Sequence, residues 1–134
     1  MIFMDFSAHV SQTILIVEDE VSYQRVLSEK LTRDGFLVLQ ASDGANGLSV
    51  ALEKKPNLII LDLLMPRVGG FSFLRSLRNS GEWGRHVPVI ILTNLSSADD
   101  ARNKDVAELE PAYYFEKTDI SIADVLTKVR ACLS

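Results

Sequence analysis

The sequence predicts an α/β domain, a doubly wound parallel sheet of five strands. Three observations predict it. Five short apolar runs recur at even intervals along the 134 residues, and helical periods fill the gaps between them. Most of the runs are continuously apolar rather than alternating, as strands covered on both faces require. Each crossover between parallel strands must be right-handed, which leaves an open sheet with helices on both sides.

The expected strands are Thr13–Val17 (TILIV), Phe36–Gln40 (FLVLQ), Asn57–Leu61 (NLIIL), Pro88–Leu92 (PVIIL) and Ala112–Phe115 (AYYF). After the first, Tyr23, Val26, Leu27 and Leu31 repeat at helical spacing, and Gly35 follows as a C-terminal cap. Ala45, Leu48 and Leu52 make a second stripe, ended by Pro56; Phe71, Leu74 and Leu77 or Arg78 make a third, ended near Ser80-Gly81. Residues 98–109 offer only Ala98, Ala101, Val106 and Leu109 for burial, so this helix should be the least firmly docked. The last helix has the clearest start: Ser121 as N-cap, Asp124 three residues on, and Ile120 facing Val125 as a staple.

Residues 13–134 read as one domain and residues 1–12 as an N-terminal extension. The opening Met1 to Phe6 is apolar but short and lacks a basic flank, so it reads as neither signal peptide nor membrane helix. With 14 basic and 18 acidic residues, net charge −4 and no basic block, a nucleic-acid or anionic-membrane surface is not expected. Cys132 stands alone, which excludes an internal disulfide and suits the cytoplasm.

One carboxylate, Asp62, interrupts the apolar run IILDLLMP. Burying it without a partner would cost several kcal/mol, so a strand interior should exclude it. In the flavodoxin-like strand order 2-1-3-4-5, functional groups collect at the carboxyl ends of the strands. There strand one ends in Glu18-Asp19-Glu20, strand three in Asp62, strand four in Thr93 and strand five in Glu116-Lys117. Taken alone, the acidic triplet would more often be helix capping, Asp62 a turn cap before Pro66, Thr93 structural and Lys117 solvated. Their joint placement on one edge has no such explanation. Two carboxylates about 4 Å apart repel by about 4 kcal/mol at an effective dielectric near 20, and Mg²⁺ removes that cost. A metal, a hydroxyl and a lysine beside a carboxylate form the apparatus for moving a phosphoryl group onto it.

The chain resembles a response-regulator receiver domain of the single-domain, chemotaxis-regulator type. The resemblance runs over about residues 13–133 and rests on ILIVEDE (14–20), SDG (42–44), LIILDLLMPRVGG (58–70), PVIILTN (88–94) and YYFEK (113–117). It implies a stand-alone cytoplasmic response regulator of a two-component phosphorelay, not an enzyme in its own right. Asp62 would accept phosphate from the phosphohistidine of a sensor histidine kinase or phosphotransfer protein. Glu18, Asp19 and Asp62, with the Leu64 carbonyl, would hold Mg²⁺. Thr93 would be the switch hydroxyl, Tyr114 the switch aromatic and Lys117 the conserved-type lysine. A downstream protein target would meet the face made by the 98–109 helix, the fifth strand and the last helix. Leu64 and Leu95, two residues after Asp62 and Thr93, would flank the approach of a hydrolytic water. Glu110-Pro111 stands where the family usually has Gly-Ala, and Thr118 where it has proline.

Two rival chemistries use similar parts. A haloacid-dehalogenase phosphatase needs a second acid two residues after its nucleophile, and here that residue is Leu64. A flavodoxin needs a phosphate-cradling loop after strand one, which Glu18-Asp19-Glu20 would repel. His9 and His86 lie away from the expected edge, so a phosphohistidine donor must be another molecule.

Overall fold

Ile14, Leu15, Ile16 and Val17 are each fully buried, as the central strand of a sheet covered on both faces must be. The computed structural model describes residues 12–65, 69–94 and 106–134. Most of the extension, Pro66, Leu95 and residues 98–105 of the expected weakly apolar helix therefore lie outside the described residues. The strands are β1 (Thr13–Val17), β2 (Leu37–Ala41), β3 (Leu58–Leu61), β4 (Val89–Thr93) and β5 (Tyr113–Glu116). All pair in parallel, in the order β2-β1-β3-β4-β5. The expected order holds. β2, β4 and β5 each begin and end one residue later than expected, and β3 begins one later.

The alternation of the central strands sorts the core into two layers. Leu15, Val17, Ile59, Leu61, Val89 and Ile91 point to one side; Ile14, Ile16, Leu58, Ile60, Ile90 and Leu92 point to the other. Each such side chain contributes about 1.5–3 kcal/mol relative to exposure. The first layer is covered by α2 (Gly44–Lys54) and α3 (Gly70–Arg78), and the second by α1 (Val21–Arg33) and α5 (Ile122–Leu133). A short helix, α4 (Glu82–His86), follows α3 in a stretch to which the sequence assigned no element. The edge strands are less covered, and Leu37 on β2 is 54% exposed.

Three helix faces differ from the expected stripes. On α1 the buried residues are Gln24, Leu27 and Leu31, while Val26 is exposed and Tyr23 half-buried. On α2 the buried face is Gly44, Gly47 and Ala51, with Ala45 and Leu52 exposed. The reason is closeness: a Cβ on Gly47 would stand 2.9 Å from Val17 Cγ1 and 3.3 Å from Phe73. Small residues let this helix lie against the sheet, so the leucines ride at its margin. On α3 the buried set is Gly70, Phe73, Leu74 and Leu77, with Phe71 only partly covered.

The helix ends follow their local chemistry. Asp43 of the SDG motif caps α2, accepting from the Asn46 N–H at 2.8 Å. Ser121 caps α5, accepting from the Asp124 N–H at 3.1 Å. Gly35 takes a φ of +99° just past α1. Gln12, placed by the sequence in the extension, is docked: its carbonyl accepts from the Leu37 N–H and its side chain donates to the Leu133 carbonyl.

Candidate functional site

The carboxyl edge of the sheet brings the expected acids together. One oxygen from each of Glu18, Asp19 and Asp62 lies within 4.8 Å of the others. Glu18 and Asp62 are 4% and 5% exposed, whereas Asp19 faces solvent. The Asp62 N–H still donates to the Val17 carbonyl at 3.0 Å, so the aspartate sits one residue beyond β3 on backbone that is still sheet-bonded. Its Oδ1 accepts from the Leu64 N–H at 3.1 Å. Asp62 is therefore both at the open edge and paired, which accounts for a carboxylate in that apolar run.

Lys117, in a single 3₁₀ turn (Lys117–Asp119) after β5, is the cation that meets Glu18 and Asp62, with Glu20 as a third carboxylate partner. Its Nζ lies 2.7 Å from Glu18 Oε1, 3.4 Å from Glu20 Oε1 and 3.6 Å from Asp62 Oδ2. The bond to Thr118 is trans. Burial pushes the Glu18 carboxyl up to about 7; the hydrogen bond from Lys117 opposes that shift and the Asp62 charge adds to it. Burial acts to lower Lys117, but its hydrogen bond to Glu18 and the charges of Asp62, Glu18 and Glu20 leave it raised. Lys117 thus stays an ammonium.

Thr93 is fully buried as the last residue of β4, in register with Glu116. Tyr114 pairs in register with Ile91 and packs, half-buried, against the first core layer. Leu64 is 43% exposed, beside the cleft rather than in the core. Asn94 is exposed. His86 lies beyond the opposite edge, paired with Glu82 at 3.5 Å.

Several supporting residues escaped the sequence reading. Gln24 is buried and its amide donates to the Glu18 carbonyl at 3.0 Å and the Ala41 carbonyl at 3.1 Å, fastening the acidic loop to the end of β2. Its signal was a polar residue one turn before Leu27 and two before Leu31. Gly70 lets α3 start against the backbone of Asp62 and Leu63: a Cβ there would come within 2.5 Å of Leu63 Cα and closer still to the Asp62 carbonyl oxygen. Arg78 donates to four carbonyls, Leu109 at 2.8 Å, Gly84 at 3.0 Å, Val87 at 2.7 Å and Glu110 at 3.1 Å. It thereby holds the lead into β5, where Glu110 adopts a left-handed φ of +50° in the place the family usually gives to glycine.

The donor set fits a hard divalent cation: three converging carboxylates, two of them buried, with room for water on the exposed Asp19 side. Among the described residues, no helix is long and apolar enough to cross a membrane.

Residues 14–130 match the family described as the response regulator receiver domain. The probable transcriptional regulatory protein SilR of Salmonella typhimurium is 37% identical over 120 residues, which cover 90% of this chain and 50% of SilR. The probable transcriptional regulator ycf27 of Porphyridium aerugineum is 38% identical over 89 residues, 66% of this chain and 35% of ycf27. The chain thus spans about a third to a half of the length of these curated relatives. Among solved structures, it resembles the receiver domain of sensor histidine kinase PA1611 from Pseudomonas aeruginosa, which has a magnesium ion coordinated in its active site cleft. That match has a TM-score of 0.78 at 27% identity, covering 91% of this chain and 97% of that one. The Vibrio cholerae chemotaxis protein CheY4 shares the fold, with a TM-score of 0.80 at 23% identity over 90% of this chain and 98% of that one. With the motifs, the strand order and the acidic edge in agreement, the chain belongs to the response regulator receiver domain family of two-component signalling.

Proposed function

We propose that this chain is a cytoplasmic response regulator that accepts a phosphoryl group on Asp62 from a histidine kinase or phosphotransfer protein. The observation that carries it is the convergence of Glu18, Asp19, Asp62 and Lys117 on one edge. In the transfer, an Asp62 oxygen forms a bond to phosphorus while the donor's P–N bond breaks, its electron pair leaving with the histidine. With acetyl phosphate the broken bond is P–O and acetate leaves.

Glu18, Asp19, Asp62 and the Leu64 carbonyl would hold Mg²⁺, which supplies charge neutralisation for the incoming phosphoryl oxygens. Lys117 turns part of its hydrogen bonding from Glu18 to a phosphoryl oxygen, and the Thr93 hydroxyl donates to another. The chain assists only its own phosphorylation and dephosphorylation. Leu64, where a phosphatase would place its acid, leaves no group to protonate a substrate's leaving oxygen.

The acyl phosphate adds a charge of about −1.5 to −2 beside buried Thr93 and draws its hydroxyl inward. Tyr114, on the neighbouring strand, then repacks. The output that this domain itself provides is a protein-binding face formed by β5, α5 and the segment that leads into β5. Incubation with acetyl phosphate and Mg²⁺ should add one phosphoryl group to wild type and none to Asp62→Asn. Wild-type uptake by Asp62→Asn would refute the assignment.

A further inference from the structure

Lys117 has a fourth partner that the transfer chemistry above leaves without a task. Its ammonium lies 4.4 Å from the centroid of the Tyr23 ring, on α1, well within the range of a cation–π contact. The lysine side chain is only 7% exposed, so the contact is largely shielded from water, and such attraction is strongest when desolvated. The Tyr23 hydroxyl is buried and has no hydrogen-bond partner among the described residues. A phenol whose polar end is left unpaired while its face meets a cation is placed for the face.

The other three partners of Lys117 are carboxylates at unequal distances, and the nearest is Glu18 rather than Asp62. A hydrogen bond to a carboxylate is directional and must be broken when the ammonium turns to a phosphoryl oxygen. Attraction to a ring face is broad, so it persists while the ammonium slides across it. We propose that Tyr23 is a positioning residue for Lys117, an aromatic floor that keeps the ammonium in the cleft as it passes from Glu18 to the phosphoryl group on Asp62. The proposal rests on Asp62 being the acceptor.

The test compares initial rates of phosphorylation by acetyl phosphate at fixed, saturating Mg²⁺ for wild type, Tyr23→Phe, Tyr23→Leu and Tyr23→pentafluorophenylalanine. The fluorinated ring keeps the shape of phenylalanine but drains negative charge from its face. Tyr23→Phe should stay within about twofold of wild type, and Tyr23→Leu and the fluorinated variant should each be roughly fivefold slower. Equal rates for the phenylalanine and fluorinated variants would reduce Tyr23 to a space-filler and overturn the proposal. So would wild-type speed in Tyr23→Leu. If Tyr23→Leu does not fold, the two ring variants decide the matter. Asp62→Asn, run alongside, separates the two failures. Uptake that persists in it refutes the acceptor assignment itself; an inert Asp62→Asn with ring-independent rates refutes Tyr23 alone.

Discussion

Lys117 Nζ lies 2.7 Å from Glu18 Oε1 but 3.6 Å from Asp62 Oδ2. The ammonium is thus hydrogen-bonded to one acid of the carboxylate cluster and only a charge neighbour of the proposed acceptor. Before phosphorylation, Lys117 acts as an internal counterion for carboxylates that would otherwise repel. On the proposed function, Lys117 shifts its bonding to a phosphoryl oxygen, and a bound Mg²⁺ would neutralise Glu18 in its place.

Replacing the counterion should therefore expose the repulsion. Removing one member of a buried ion pair costs about 3–5 kcal/mol, but Glu18, titrating near 7, can take up a proton and offset part of this. Lys117→Met should lose about 2 kcal/mol of stability without divalent metal. Mg²⁺ should restore more stability to the variant than it adds to wild type. Denaturant melts with and without Mg²⁺ check this, and an equal Mg²⁺ increment in both proteins would contradict it.

Gly70 should tolerate no side chain. A Cβ there meets backbone of Asp62 and Leu63, which cannot rotate away. Gly70→Ala should lose about 1–3 kcal/mol and slow phosphorylation, because the shift falls on the backbone of Asp62, the proposed acceptor. Gly69→Ala, whose Cβ would meet nothing closer than 3.7 Å among the described residues, is the control and should phosphorylate normally.

The lead into β5 offers a paired test. Arg78→Met leaves four carbonyls without their donor and should cost about 2 kcal/mol. Glu110→Gly relieves a left-handed backbone while keeping the carbonyl that Arg78 uses, and should be neutral or stabilising by up to about 1 kcal/mol. Thermal melts decide both, and a loss above 1 kcal/mol in Glu110→Gly would refute the strain argument.

The sheet order, the acidic edge and the lysine were legible because central parallel strands are continuous apolar runs whose ends are marked by the first charged residue. Ile59 to Leu61 followed by Asp62 is such a signal. The helix faces were less legible. The stripe Ala45, Leu48, Leu52 assumed that larger apolar residues face inward, but α2 approaches the sheet so closely that Gly47 and Ala51 must. Likewise Gln24 displaced Val26, because the carbonyls of Glu18 and Ala41 need a buried donor that hydrophobic periodicity does not register. Arg78 was readable only as the possible end of a stripe, since its four acceptors come from two stretches further along the chain, 84–87 and 109–110. Leu95 lies outside the described residues, so its part in the cleft stands on sequence alone.

The phosphorylated form should be comparatively long-lived. Leu64 is half-exposed next to Asp62, and it has no group to orient a hydrolytic water. Replacing Leu64 by Asn and Leu95 by Glu should speed phosphate loss roughly tenfold, about 1.4 kcal/mol of barrier. Decay after removal of the phosphodonor, at constant Mg²⁺, measures it; equal or slower decay in the double variant would contradict the argument.

Chemical trapping tests the central claim most directly. Borohydride reduces an acyl phosphate to the alcohol, so a phosphorylated aspartate becomes homoserine at its own position. After incubation with acetyl phosphate and Mg²⁺, reduction and peptide mapping should find homoserine at position 62, dependent on Mg²⁺ and on Lys117. Homoserine at Asp19 or another acid instead, or phosphate retained on a residue that borohydride does not reduce, would contradict the account.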